Sequence, residues 1–520
     1  MFSSKLHDFL KPRSHILVEP IRDFHQPFLQ TLVDAPNSRY HLRDWLYRDA
    51  FALSTYIKDG LLPEFGETPD SAQSNAPNHS ILLLVNMARG KASRRENAGK
   101  LNSHYRILSF MNALRSGAGL HSRGPVRMLL WLDDNEKNAL IPQTVSTRKK
   151  ISLQLETYCH VEEIVGGGSR GRQRRETALD MQNGIEVAKR MRDRGITIPI
   201  HRQDEMQREV AQSMDPTDDH SQVSPILGRD WQKEFLKLQR AFDAGEFPQY
   251  EEGPPGPHEV RQHKKGHSLT PEYRRYRQLR SNVGLGKKQQ TVLDSLLQQE
   301  AEIDSIQTEI LHKNPNQAER EEKEKEQDRI RDELKTTLDR KEPSFVAKFA
   351  FIGDDRRALA LDPPLLMWDR REAEPLLAQE AEFHGPHKLA LLDFRPLAPS
   401  PWPMTEEQTI LYDYLSTHMF YSGIQNLKTL GQLAPGAFEA LAPKVAELRD
   451  PLKGGRYDIE ELRARNLSPE LLHKLTLAWA RWPFRPSLSE FFAQHDSSEG
   501  DPMSYPESTS LDAMYIPSRV

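Results

Sequence analysis

Three residues with hydrogen-bonding chemistry each stand at the end of a short apolar run. Glu19 follows His15-Ile16-Leu17-Val18 and is stopped by Pro20, Asp49 follows Trp45-Leu46-Tyr47-Arg48, and Asn86 follows Ile81-Leu82-Leu83-Leu84-Val85. Proline cannot continue a strand ladder, so the first run carries its own boundary. In an open α/β sheet ligands bind beyond the carboxyl ends of the strands, and a carboxylate there accepts hydrogen bonds from both hydroxyls of a ribose. Glu19 is thus a candidate cofactor-binding residue; the plainer alternative is that it caps the next helix. Asn86 sits at the same kind of position. A second chemistry is cationic: residues 89–100 carry Arg89, Lys91, Arg94, Arg95 and Lys100 against the single acid Glu96. Residues 258–280 carry seven Lys or Arg against two Glu, with Arg274, Arg275 and Arg277 set around Tyr273 and Tyr276. Cations interleaved with rings suit a nucleic-acid strand, whose phosphates pair with charge and whose bases stack. A solvated loop and an ordinary helix start are the competing accounts.

The elements that would position these residues alternate. Ile21, Phe24, Phe28 and Leu32 recur at helical spacing, widened by Leu29 and Val33, which predicts a helix over residues 21–33 packed on the first strand. Trp45–Asp49 reads as a second short strand, and a second helical segment and a polar loop at residues 67–80 follow it. The run Ile81–Asn86 suits a central parallel strand buried on both faces. Residues 101–115 then form an amphipathic helix through Leu101, Tyr105, Leu108, Met111 and Leu114. Strand and helix in alternation make an α/β domain.

Glu19, the Asp49-Ala50 pair and Asn86, at three strand ends, resemble the rRNA adenine N6-dimethyltransferase family. The stretch Ser4–Arg13 ahead of the first strand is closest to the fungal mitochondrial transcription factor B branch. Val126–Trp131 looks like the family's fifth strand, and Arg148-Lys149-Lys150 like the start of the helix after it. Pro363–Arg371 and Leu389–Phe394 resemble the sixth and seventh strands, with Phe383–Lys388 similar to the Phe-x-Pro-Pro segment before the last strand. Arg463–Leu467 and Trp482–Pro486 resemble the close of its helical C-terminal part. These blocks cover roughly three fifths of the chain. The resemblance implies a Rossmann-like class I methyltransferase sheet and S-adenosyl-L-methionine as cofactor. Glu19 would then hold the cofactor ribose, Asp49 its adenine amino group, and Asn86 the target amine.

Two departures stand beside these matches. The family's first strand and glycine-rich turn should precede Ser3, and the chain opens Met1-Phe2-Ser3 without a convincing presequence, so it is expected to begin inside its first domain. The catalytic Asn-(Leu/Ile)-Pro-aromatic motif reads Asn86-Met87-Ala88-Arg89. Proline gives a tight turn and the ring a platform for an extruded adenine; neither is expected here.

Across the whole chain, 520 residues with 37% hydrophobic and 28% charged side chains suit about two to four domains. A net charge of −4 offers no global attraction for nucleic acid, so any such surface is local. The single Cys159, placed in a helical stretch after Leu153 and Leu155, excludes a disulfide framework and a cysteine-based zinc site. It reads as a small core residue in a reducing compartment. No run approaches the roughly eighteen apolar residues of a membrane span. Residues 1–165 form the truncated methyltransferase-like domain. Residues 166–288 are a basic, partly disordered insertion that opens with the flexible Gly166–Arg175 connector and holds a helical piece at Ile185–Met191. Polar residues 204–224 and the Pro- and Gly-rich residues 247–258 read as mobile. In residues 289–342 a seam of Val292, Leu296, Gln299, Ile303, Ile306 and Ile310 predicts a coiled-coil-like hairpin projecting from the body. Residues 343–400 complete the sheet, residues 401–495 form an α-helical domain, and residues 496–520 a disordered tail.

The leading functional expectation is a mitochondrial matrix transcription initiation factor that joins the mitochondrial RNA polymerase and holds melted promoter DNA. An active S-adenosylmethionine-dependent rRNA dimethyltransferase is the alternative within the family. A coiled-coil adaptor with a vestigial sheet is the alternative outside it. None of the three needs a membrane or a metal.

Overall fold

The computed structural model describes residues 2–18, 22–43, 76–88, 102–117, 121, 124–168, 175–213, 230–250, 269–313, 315–382, 388–487 and 490. In chain order the N-terminal elements are α1 (Phe2–Leu10), β1 (His15–Val18), α2 (Arg22–Val33) and β2 (Tyr40–Arg43). β1 and β2 pair in parallel, His15 opposite Tyr40, as the strands of a strand–helix–strand unit must. The expected partner strand Trp45–Asp49 lies outside the described residues; the strand that pairs is the shorter Tyr40–Arg43.

Next come β3 (Asn78–Asn86), α3 (Asn102–Ser116), β4 (Val126–Asp133), α4 (Lys150–Tyr158) and β5 (Cys159–Gly166). The late strands β6 (Leu376–Leu377) and β7 (Leu389–Pro396) complete a five-stranded mixed sheet in the order β3-β4-β7-β5-β6. β3 runs parallel to β4 and β5 parallel to β6, while β7 lies antiparallel between β4 and β5. One face is largely apolar: Val126, Met128, Leu130 and Leu132 meet Leu392, Phe394, Cys159 and Val161 under Ile107, Met111 and Leu155 of the covering helices. Each such fully buried side chain contributes about 1.5–3 kcal/mol, so this face supplies much of the drive that joins β7 to strands far behind it in sequence.

Three expectations are corrected here. β3 is an edge strand among the described residues, with Leu82 37% exposed, because only β4 pairs with it. Pro363–Arg371 is not a strand but a turn with a cis Asp362–Pro363 bond and a 3-10 helix at Met367–Arg370. The strand beyond β7 is β5 instead. Cys159 accordingly opens a strand rather than lying in a helix, although it is buried in the core against Met111 as expected.

Helices dominate the rest: α5 (Thr177–Asp193), α6 (Glu205–Ser213), α7 (Asp230–Asp243), α8 (Pro271–His312), α9 (Gln317–Leu338), α10 (Pro343–Ala360), α11 (Glu406–Met419) and α12 (Pro469–Ala480). α6 falls within residues expected to be mobile, yet Val210 is buried against Gly184 of α5, where any side chain would collide with it. α8 and α9 form the expected helical hairpin. Pro271 and Thr270 start α8, and Asn316 with Glu319 builds a reciprocal cap that starts α9.

Its seam is Leu293, Leu296, Glu300, Ile303, Gln307 and Ile310, shifted from the expected one by a residue at three of six positions. The hairpin does not project. Gln307 donates to the Arg449 carbonyl, His312 meets Asp450, and Glu300 pairs with Arg456, all in the C-terminal body. That body has its own core around Leu415, Leu430, Leu441, Leu472 and Trp479, between α11, α12 and a series of 3-10 turns. Trp479 and Trp482 belong to this core.

Candidate functional site

The parallel strands β3, β4 and β5 put their carboxyl ends along one edge of the sheet, where ligands gather in open α/β folds. At the end of β3, Asn86 is exposed and lies opposite Trp131 of β4. Its side-chain Oδ1 accepts the backbone N–H of Ala88 at 3.0 Å, a local turn that Asn readily forms. Met87 donates its backbone N–H to the Trp131 carbonyl at 2.7 Å and buries its side chain in the sheet core, 5% exposed. The residue after the asparagine therefore faces inward, and the Asn86 amide oxygen already has a donor. On the other side of β4, the Phe2 ring of α1 stands edge-on to Trp131 at 5.4 Å.

The ends of β4 and β5 are closed by a buried clasp that the sequence reading did not single out. Lys137 Nζ lies 2.6 Å from Asp134 Oδ1 and 2.5 Å from Glu163 Oε1, and Asp134 Oδ1 also accepts the Gly167 N–H at 2.8 Å. A Cβ at Gly166 would collide with Glu163 Oε1 and crowd Lys137 Nζ, so a larger residue there would displace the clasp. Burial pushes the Glu163 carboxyl above the usual range, and Lys137 relieves only part of that. Burial alone would lower Lys137, but Glu163 and Asp134 outweigh it and hold the ammonium charged. The cavity beside them, lined by Gln143, Gln207 and Trp368, measures about 30 Å³, room for water and not for a nucleoside. The Asp133-Asp134 pair closing an apolar run was the available signal.

The second face of the sheet is polar. Arg127 forks onto Asp393 at 2.8 and 2.7 Å, Arg395 bridges Asp393 and Glu162, and His160 reaches Glu162 at 3.0 Å. Burial would raise Glu162, but the His160 hydrogen bond and the Arg395 charge hold it below the usual range. The ladder alternates in sign across three strands, so its charges are matched internally.

The expected site residues fall in different places. Asn86 is at the carboxyl edge. Glu19, Asp49, Arg89, Lys91, Arg94, Arg95 and Lys100 lie outside the described residues. Arg274 and Arg275 sit in the first turn of α8, far along the chain from the sheet edge; Arg274 donates to the Leu269 carbonyl, and Arg275 forks onto Glu234 at 2.9 and 2.7 Å. Tyr273 and Tyr276 pack with Phe235 and Phe242 instead of standing free for bases. Arg175, expected in a flexible cationic connector, is buried and paired with Asp369 at 2.6 Å. Among the described residues no cluster of His, Cys, Asp and Glu is arranged to hold a metal, and no helix is long and apolar enough to cross a membrane.

Sequence comparison adds no relative. No protein-family model matches the chain, and no curated protein matches it.

Proposed function

We propose that this chain is a nucleic-acid-binding protein on a methyltransferase-type sheet, acting as a mitochondrial transcription initiation factor beside the mitochondrial RNA polymerase. The observation that carries the proposal is the strand order. In a doubly wound sheet of order 3-2-1-4-5-6 the second and third strands are neighbours, as are the fourth and fifth. The parallel pairs β1–β2, a two-stranded sheet of its own, and β3–β4, within the five-stranded sheet, are consistent with those two. β7 enters antiparallel between β4 and β5, which a purely parallel doubly wound sheet lacks, and this supports the methyltransferase-type reading.

The local geometry favours binding over methyl transfer. A flipped adenine needs an aromatic platform beside the amide, and here Met87 turns into the core while Asn86 Oδ1 is taken by Ala88. Asn86 and Met87 thus do not offer the acceptor platform that methylation of an extruded adenine needs. Holding melted DNA requires only local cations and a scaffold.

Calorimetry with S-adenosylmethionine, run beside binding of a promoter duplex carrying an unpaired bubble, tests this. No donor heat, salt-sensitive bubble binding and co-purification with the polymerase are the expected results. Donor binding that Asn86→Ala abolishes would instead identify a methyltransferase.

A further inference from the structure

Helix α8 has two parts of different character. From Leu293 onward it is packed against α9 and α10 through Leu293, Leu296, Leu297 and Ile303. Between Arg280 and Val292 every side chain described is exposed or half-buried. Ahead of that bridge, the first turns of α8 fold with α7 into a small unit of their own. Phe235 and Phe242 of α7, Phe247 of the following turn, and Tyr273 and Tyr276 of α8 stack with centroids 5.1–5.9 Å apart. Thr270 Oγ1 donates to the Pro248 carbonyl and Tyr250 bridges to Leu269, which close the unit.

The charges on this stretch are one-sided. From Tyr273 to Leu293 the chain has six Lys or Arg and no acid. Arg274, Arg277, Arg280 and Lys288 follow one another at helical spacing, with Gly284 between the last two, so they share a face. Tyr276 and Leu279, buried at 6% and 1%, mark the opposite face. Arg277, Arg280 and Lys288 are exposed, without an ion pair to any described residue. At 1.5 Å rise per residue the row is about 21 Å long. Such a row matches a polyanion with regularly repeating charge. Leu285 alone is an exposed large apolar side chain between Arg274 and Lys288, too little for a helix lying in a membrane surface. The rings that would stack on unpaired bases are committed to the aromatic core, so phosphates, not bases, are what the row can contact.

We propose that the Arg274–Lys288 face of α8 binds the phosphate backbone of a nucleic-acid duplex without reading its sequence. The inference rests on the nucleic-acid-binding function above and adds a duplex-holding surface separate from the sheet edge.

The test is anisotropy of the full chain with a labelled random duplex of about 30 base pairs, and with its single strand, over about 50–200 mM salt. The variant carries Arg274→Gln, Arg277→Gln, Arg280→Gln and Lys288→Gln, which keep helix propensity. Each lost phosphate contact lowers the slope of log K against log salt by about 0.9. The expected loss is roughly 3.6 in slope for the duplex, with single-strand binding retained, and Arg275→Gln alone leaving the slope unchanged because Glu234 already holds that guanidinium. An unaltered duplex slope in the fourfold variant overturns the inference while leaving the initiation-factor reading intact. A wild-type chain that binds neither nucleic acid removes both. Loss of binding to phosphatidylserine vesicles with duplex binding preserved would assign the row to a membrane surface.

Discussion

Asp355 lies buried on α10, accepts the Val145 N–H at 2.7 Å, and shares its surroundings with Arg175, Asp354 and Asp369. Burial pushes its carboxyl up to about 7, and the Val145 bond and the Arg175 charge do not offset it. The folded chain therefore keeps a proton that the unfolded chain gives up near its ordinary value of 3.8. The stability this contributes is full below about pH 4 and is lost as pH rises through about 7, at up to about 1.4 kcal/mol per pH unit. Asp355→Asn should flatten that decline, seen as denaturant midpoints at several pH values across this window. A variant declining in parallel with the wild type would refute the assignment. Residues of this kind are hard to read from sequence: Arg175 follows a run of glycines and arginines, and nothing local says that it turns inward to Asp369. Tyr273 and Tyr276 posed the same problem, because the Phe235 and Phe242 rings that bury them come from another helix.

Elements were more legible than residues. β3, β4 and β7 each hold an apolar run and form strands where the sequence placed strands, although β3 lies at the sheet edge. β5 went unseen because His160, Glu162 and Glu163 interrupt it; they are tolerated since His160 and Glu162 line the charged ladder and Glu163 meets Lys137. The hairpin seam slipped by a residue because Val292 and Leu293 are both apolar and the true seam includes Glu300 and Gln307, polar residues with partners across the interface.

Gly284 and Gly286 have nothing within 4 Å of a hypothetical Cβ, so packing does not require glycine at either. Each costs a helix about 0.5–1 kcal/mol relative to alanine. Their place in the exposed bridge makes it the weakest part of α8. Gly284→Ala with Gly286→Ala should slow amide exchange from Arg280 to Val292. Unchanged exchange would mean that the two glycines do not weaken the bridge.

At the scale of the molecule, three apolar clusters are tied together by buried polar groups. Leu153 of α4 belongs to the C-terminal core while its neighbours Ile151 and Leu155 belong to the sheet, so one helix serves both. Arg148, fully buried, forks onto Glu156 and donates to the carbonyls of Arg465 and Leu467. Between hairpin, α10 and C-terminal body, Glu300, Asp304 and Asp354 balance Arg357, Arg456 and Arg463. Burial would raise Glu300, but Arg357 and Arg456 outweigh it and keep it charged.

Glu300→Ala leaves two guanidinium groups short of a partner in a desolvated junction and should cost about 3–5 kcal/mol. Equilibrium unfolding measures the loss, and a change below about 1 kcal/mol would show the network to be solvated. This junction explains why a hairpin that reads as a free arm lies against the body. Its polar seam residues Glu300 and Gln307 are the attachment points.

The position of β7 also has a consequence during synthesis. β4 and β5 are not hydrogen-bonded to each other; β7 supplies the edge between them, and it leaves the ribosome only after the whole stretch from Gly166 to Leu389 has been made. At 5–20 residues per second that is roughly ten to forty-five seconds. For that time the nascent chain carries two open strand edges beside an apolar face, the kind of surface that invites pairing with other chains. A chaperone that shields Val126–Asp133 and Cys159–Gly166 until translation passes Pro396 would meet a need written into the order of the strands.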